Sequence, residues 1–283
     1  MLSCIGRAGS ESFFVKWIVS VGALALAGAA MFGAEISAVT PLVRAHAHND
    51  YLHAHPLADA LAHGFWSVEA DVWLTNGALL VAHDFNKTSP ERTLQSLYLD
   101  PLRVFLKTNA AVRGVPPLTL LIDVKSEAEA TWAALRAVLP GYADMLTRFE
   151  SNRLHTNAVI VIISGARAEA TMRAEPVRWA ALDGRLPDLE ANPSVALVPL
   201  VSDHWAKQFQ WRGTGPLPAE ERTKLLQLVQ RTHDQGRRLR LWAAPDNTAG
   251  WKELFEAGVD LLNTDKLPEL EKFLRGATGS ARP

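Results

Sequence analysis

Glu69 and Asp71 stand two apart in the run S-V-E-A-D-V, Ser67 to Val72. If that run is a β-strand, both carboxylates point to the same face. Two ionised carboxylates facing a low-dielectric interior repel each other, so a proton, a cationic side chain or a divalent metal must relieve them. Asp123, in L-L-I-D-V-K (Leu120 to Lys125), offers a third oxygen ligand. Three converging carboxylates make a natural Mg2+ or Ca2+ site. The plainer reading, a wet strand end with Arg or Lys partners, loses ground to the flanking histidines. His46 lies in R-A-H-A-H-N-D-Y (Arg44 to Tyr51) and His83 in V-A-H-D (Val81 to Asp84). One on each side of a metal, they suit phosphodiester cleavage: a neutral imidazole takes a proton from the attacking hydroxyl and a protonated one gives a proton to the leaving oxygen. Each transfer is worth roughly 10²–10⁴-fold. His53, His55 and His63 read as ordinary polar residues of the loop and helix that follow.

These residues need a scaffold, and from about Pro41 onward short β-rich apolar runs alternate with helical patterns, as in a parallel α/β fold. The candidate strands are Leu42–His46, Ser67–Leu74, Leu118–Val124, Ala158–Ser164, Val177–Leu182, Ala196–Ser202, Arg238–Ala243 and Asp260–Thr264, with Ala78–His83 as a hairpin return after the second. Amphipathic stretches such as Glu127–Leu139, Glu220–Gln235 and Trp251–Ala257 separate them, the last two closed by Gly236 and Gly258, the residue type that tolerates a left-handed helix cap. Eight strand–helix units in roughly 240 residues match a single (β/α)8 TIM barrel. In such a barrel the active site forms at the C-terminal strand ends, where these acids and histidines fall. A doubly wound open sheet is the alternative, but no Gly-rich dinucleotide fingerprint follows the first strand.

With 48% hydrophobic and 21% charged residues, the 283-residue chain can bury a full core. Its net charge of −1 and lack of a basic stripe argue against a nucleic-acid partner. The single cysteine, Cys4, precedes an uncharged apolar run, Trp17 to Gly33, so disulfides and thiol chemistry play no part in the domain beyond it. That run reads as an export signal. Its length leaves two outcomes open, a cleaved signal or an uncleaved anchor associated with a membrane. The expected organisation is residues 1–38 as signal or anchor, 39–276 as the barrel and 277–283 as a tail, exported to a periplasmic or extracellular space.

E-A-D, then H-D about a dozen residues on, then I-D-V-K, resembles the pattern of glycerophosphodiester phosphodiesterases. The stretch L-W-A-A-P…G-V-D-L-L-N-T-D-K-L, Leu241 to Leu267, is similar to that family's closing strands. H-N-D-Y, P-L-A-D-A-L (Pro56 to Leu61), S-V-E-A-D-V-W-L (Ser67 to Leu74) and R-T-L-Q-S-L-Y-L-D-P-L (Arg92 to Leu102) resemble the subgroup named altered inheritance of mitochondria protein 6. The resemblance implies a barrel of the phospholipase C-like phosphodiesterase type and a phosphoric diester hydrolase acting on a glycerophosphodiester or phospholipid headgroup. It implies His46 and His83 as general acid and base, and Glu69, Asp71 and Asp123 as ligands of Mg2+ or Ca2+. Lys125 becomes a phosphate contact and Trp242 lines the mouth. The opening motif departs from the family: His-Arg-Gly becomes His46-Ala47-His48, and the Glu-Asn-Thr segment is missing. His48, Asn49 or Asp50 then substitutes for the lost contacts, and His48 is the alternative to His46 as catalytic histidine. Two rival readings remain. One is an amidohydrolase-type metal hydrolase using H-x-H, Asp265 and His204, which leaves Glu69, Asp71 and His83 without roles and finds Ser164-Gly165 where a bridging Lys belongs. The other is a non-catalytic barrel that binds a phosphorylated ligand.

Overall fold

A computed structural model describes residues 40–109, 115–150 and 153–279. The apolar run Trp17 to Gly33 lies outside them, and among the described residues no helix is long and apolar enough to cross a membrane. The strands are β1 (Leu42–Ala47), β2 (Phe65–Thr75), β3 (Ala78–Val81), β4 (Leu118–Val124), β5 (Arg148–Glu150), β6 (Arg153–His155), β7 (Val159–Gly165), β8 (Val177–Arg178), β9 (Ala181–Gly184), β10 (Leu200–His204), β11 (Arg238–Trp242) and β12 (Leu262–Thr264). Eight of them pair in the order β11-β10-β9-β7-β4-β2-β1-β12, every neighbouring pair parallel. An isolated parallel bridge, Arg240 with Leu261, brings the two ends together. Asn263 reinforces it, donating from Nδ2 to the Leu241 carbonyl at 2.9 Å and accepting from Arg240 Nε at 2.7 Å. The result is the (β/α)8 barrel expected, nearly closed, with β3 folded back antiparallel on β2.

Two apolar layers hold it. Leu121, Ile160, Ile162, Ala181, Leu200 and Leu261 form a cluster of their own, and the β4–β7 register puts Leu121 opposite Ile162 on the face that also carries Asp123. That face is the barrel interior, because strand side chains alternate with period two. The larger cluster, including Val68, Ala70, Leu120, Ile122, Val161 and Ile163, takes the opposite face and packs beneath the helices. Polar side chains of the interior face, among them Glu69, Asp71 and Asp123, gather toward the C-terminal side of the barrel, where such a fold admits solvent and ligand.

Three expected strands are shifted. Val177–Leu182 splits in two: β8 belongs to a small antiparallel sheet, β6-β5-β8, beside the barrel, and the barrel strand β9 begins only at Ala181. Non-local pairing of Phe149 with Arg178 draws those residues away. Ala196–Pro199 is a turn instead of a strand, with the Leu197 and Val198 amides donating to the Ser194 carbonyl, so β10 starts at Leu200. β12 starts two residues later than Asp260, whose carboxylate accepts from the Leu239 amide at 2.8 Å and is spent on joining β11. The helix ends agree with expectation: Gly258 caps the helix Thr248–Ala257 at φ 93° and donates to Leu254 and Phe255 carbonyls.

Candidate active site

β2 and β4 run in register with Asp71 opposite Asp123 and Glu69 opposite Leu121. Glu69, Asp71 and Asp123 therefore share the interior face at adjoining heights, and one ligand oxygen from each lies within 4.8 Å of the others. Among the described residues no other group of three His, Asp, Glu or Cys side chains converges in this way. The rival set of His46, His48, His204 and Asp265 does not.

Each acid has a different environment. Glu69 Oε2 takes a hydrogen bond from His46 Nε2 at 3.1 Å and another from Arg240 Nη2, all three groups being buried. Burial alone would raise the Glu69 carboxyl; the Arg240 and His46 partners reverse this and hold it well below the usual range. Asp71 Oδ2 receives the Tyr51 hydroxyl at 2.6 Å and lies 3.1 Å from both His83 Nδ1 and Lys125 Nζ. Burial nevertheless pushes Asp71 up to about 6. Asp123 Oδ2 pairs with Lys125 at 2.6 Å. The lysine bridges two carboxylates, and although burial works against its charge, Asp123 and Asp71 raise its pKa. The outer oxygens of the two aspartates, Asp71 Oδ1 and Asp123 Oδ1, are buried without any hydrogen-bond partner among the described residues. A buried carboxylate oxygen left bare is costly. Two of them, on aspartates that are register partners and converge with Glu69 in an all-oxygen donor set, fit a hard divalent cation. Gly165 keeps that space open: its backbone has φ +68°, and a Cβ there would stand 2.1 Å from Asp123 Oδ1 and 2.4 Å from the Val124 carbonyl.

Glu69 and Asp123 open on a cavity of about 300 Å³, with Asp71 buried behind its wall, and that wall also includes His48, Asn49, His83, Lys125, Ser164, Arg185, Arg240 and Trp242. His46 is absent from that wall. It is completely buried, with Nδ1 on the Ser67 hydroxyl at 2.7 Å and Nε2 on Glu69, so both ring nitrogens are engaged. Burial, with Arg240 nearby, lowers its pKa to about 4 and keeps it neutral. The imidazole of the opening motif that meets the cavity is His48, two residues on and beyond the last β1–β2 pairing at Ala47. Its Nδ1 is 2.9 Å from Asp265 Oδ1. Burial pulls the His48 pKa down, but the Asp265 hydrogen bond and the Glu69 and Asp265 charges outweigh it, and the net shift is upward.

Asn49, held at φ 50°, joins the two histidine sides. Its Nδ2 is 3.3 Å from Asp265 Oδ1 and its Oδ1 lies 2.7 Å from the Tyr51 hydroxyl, an alternative acceptor to Asp71 for that single proton, while the hydroxyl also lies 3.1 Å from His83 Nδ1. Trp242 ends β11 with its ring 4.3 Å from His204, edge to face, on the cavity wall. His204 itself is turned away to cap its own helix, Nδ1 accepting from the Ala206 amide. Three contributors escaped the sequence reading: Arg240, Arg185 and Tyr51. The R-L-R-L-W run of β11 carried a signal, since arginines two apart in an apolar strand share the interior face.

Fold and site together define a (β/α)8 barrel with an acidic, cation-ringed pocket at its C-terminal rim. Residues 34–178 match the model of the AIM6-like phosphodiesterase domain, and residues 238–268 match that of the glycerophosphoryl diester phosphodiesterase family. Altered inheritance of mitochondria protein 6 of Eremothecium gossypii is 31% identical over 277 residues, covering 83% of this chain and 70% of that protein. The homologue from Arthroderma benhamiae is 28% identical, covering 78% of this chain and 80% of that protein. A crystal structure of a glycerophosphodiester phosphodiesterase from Parabacteroides distasonis aligns over 85% of this chain and 100% of that one, with 16% identity and a TM-score of 0.49. The chain belongs to the AIM6-like phosphodiesterase domain family, a subgroup of the glycerophosphodiester phosphodiesterase-like superfamily.

Proposed function

We propose that this protein is a metal-dependent phosphoric diester hydrolase for a glycerophosphodiester or phospholipid-headgroup substrate, working through His48 and His83. The observation that carries the proposal is the pair of bare, buried oxygens on Asp71 and Asp123, beside a cavity lined by Asp123, His48 and His83. Asp71, Asp123 and the free edge of Glu69 would hold Mg2+ or Ca2+. Bound there, such an ion supplies Lewis-acid polarisation of a phosphoryl oxygen.

The chain's own groups divide the remaining work. His48, oriented by Asp265 through Nδ1, holds a proton at a site whose upward-shifted pKa suits exchange near neutral pH. His83, aligned by Asp71 and Tyr51, serves the opposite transfer across the cavity. His46, with both nitrogens engaged, orients Glu69 and takes no part in proton transfer. This replaces the expected His46–His83 pair with His48–His83. Lys125 and Trp242 border the space where the diester and its headgroup would lie. The apolar run Trp17 to Gly33 supports action outside the cytoplasm or at a membrane.

The test is hydrolysis of bis(p-nitrophenyl) phosphate, glycerophosphocholine and lysophospholipids by wild type, His46→Ala, His48→Ala and His83→Ala, with Mg2+ or Ca2+. Loss of roughly 10²-fold or more in kcat for His48→Ala and His83→Ala is expected. Retention of activity by folded His48→Ala and its loss in His46→Ala would reverse the assignment, and no turnover of any diester by wild type would defeat the hydrolase reading.

A further inference from the structure

Arg185 follows β9 directly and forms the cavity wall on the Ser164 side. Its guanidinium is anchored by one edge. Nη1 donates to the Asp183 carboxylate at 2.9 Å, the Asp183 carbonyl at 3.1 Å and the Gly184 carbonyl at 2.9 Å. Asp183 is completely buried and is itself fixed by the Ser164 hydroxyl at 2.8 Å. The other edge is nearly unspent: the sole side-chain contact described for Nη2 is Ser164 Oγ, at 3.4 Å.

The other cations of the cavity differ. Lys125 lies between Asp71 and Asp123, and Arg240 between Glu69 and Asn263. Their charges are consumed by the acids they touch. An arginine on the cavity wall that is gripped along one edge by a fully buried carboxylate keeps the N–H groups of its other edge for a further acceptor. It is well suited to receiving an oxyanion in fixed geometry.

We propose that Arg185 is a substrate-binding residue that contacts an oxyanion of the substrate, held in place by Asp183. The oxyanion is either the phosphate of the diester or a second acidic group on its headgroup. This rests on the hydrolase reading for the identity of the substrate, but anion binding can be measured without turnover.

The experiment titrates inorganic phosphate calorimetrically into the purified protein, in EDTA and in Mg2+, for wild type and Arg185→Lys. The lysine keeps a cation beside Asp183, so the fold should persist, which thermal melting checks. Should it not, the double variant Arg185→Gln with Asp183→Asn removes both charges and is titrated instead. The expected result is phosphate affinity weakened roughly tenfold, from loss of the fork geometry, with a matching rise in KM and little change in kcat. A loss shared by bis(p-nitrophenyl) phosphate and glycerophosphocholine assigns the contact to the reacting phosphate. A loss confined to glycerophosphoserine assigns it to a headgroup acid. Unchanged phosphate affinity and unchanged KM for all three substrates in a folded variant would overturn the proposal even if hydrolysis is confirmed. Weakened phosphate binding in a protein that hydrolyses nothing would leave Arg185 as an anion contact and remove the hydrolase reading alone.

Discussion

Asp50 sits one residue past the His48-Asn49 pair, completely buried beneath the turn that presents them. Its Oδ2 accepts the Leu57 amide at 2.6 Å and the Tyr98 hydroxyl at 2.9 Å, and its Oδ1 has no partner among the described residues. Burial dominates, and the carboxyl is pushed from 3.8 up to about 7. A carboxyl whose folded pKa lies above its unfolded value contributes stability in full below about pH 4, and that contribution is lost as pH rises through about 7. Three pH units at about 1.4 kcal/mol each set the swing at about 4 kcal/mol. His46, lowered to about 4, works the other way, its contribution lost as pH falls. Asp71, raised to about 6, acts with Asp50. Both persist in Asp50→Asn, so the difference between variant and wild type isolates Asp50. The assay is urea unfolding at intervals from pH 4 to pH 8. The stability of Asp50→Asn relative to wild type should climb across that range by an amount on the order of the swing. A difference that stays flat with pH would refute the reasoning.

Three further outcomes follow from the geometry. Gly165→Ala should cost at least about 1–2 kcal/mol from left-handed backbone strain alone, and should weaken ion binding because the new methyl collides with Asp123 Oδ1; melting curves and Mn2+ titration report the two effects. Arg240→Met leaves Glu69 buried with only His46 as partner, and should lower unfolding stability by roughly 3–5 kcal/mol, read by chemical denaturation. Asp265→Asn removes the negative charge beside His48; the His48 pKa should fall, moving one limb of the pH–rate profile toward acid.

Much of this site could be read from strand periodicity. Glu69, Asp71 and Asp123 converge because residues two apart share a face, and the I-D-V-K run meets β2 in register. The histidine was harder. His46 and His48 also lie two apart, so periodicity puts both on the same side, and only depth along the barrel separates them. Depth is set by how β1 registers against β2, where His46 pairs with Ser67, two residues below Glu69, and no local pattern reveals that. Arg185 was hidden for a different reason. The run Val177–Leu182 looks like one strand, and its division between two sheets depends on β5, distant in sequence. With β9 misplaced, the end of that strand, and hence Arg185, could not be assigned to the rim.

Turnover of bis(p-nitrophenyl) phosphate by EDTA-treated protein, as Mg2+ or Ca2+ is returned, tests most directly the claim that Asp71 and Asp123 hold a catalytic ion. Activity should be absent in EDTA, recover saturably with either hard cation in preference to Zn2+, and require a markedly higher ion concentration in Asp123→Asn. Full turnover in EDTA, or recovery with zinc alone, would contradict it.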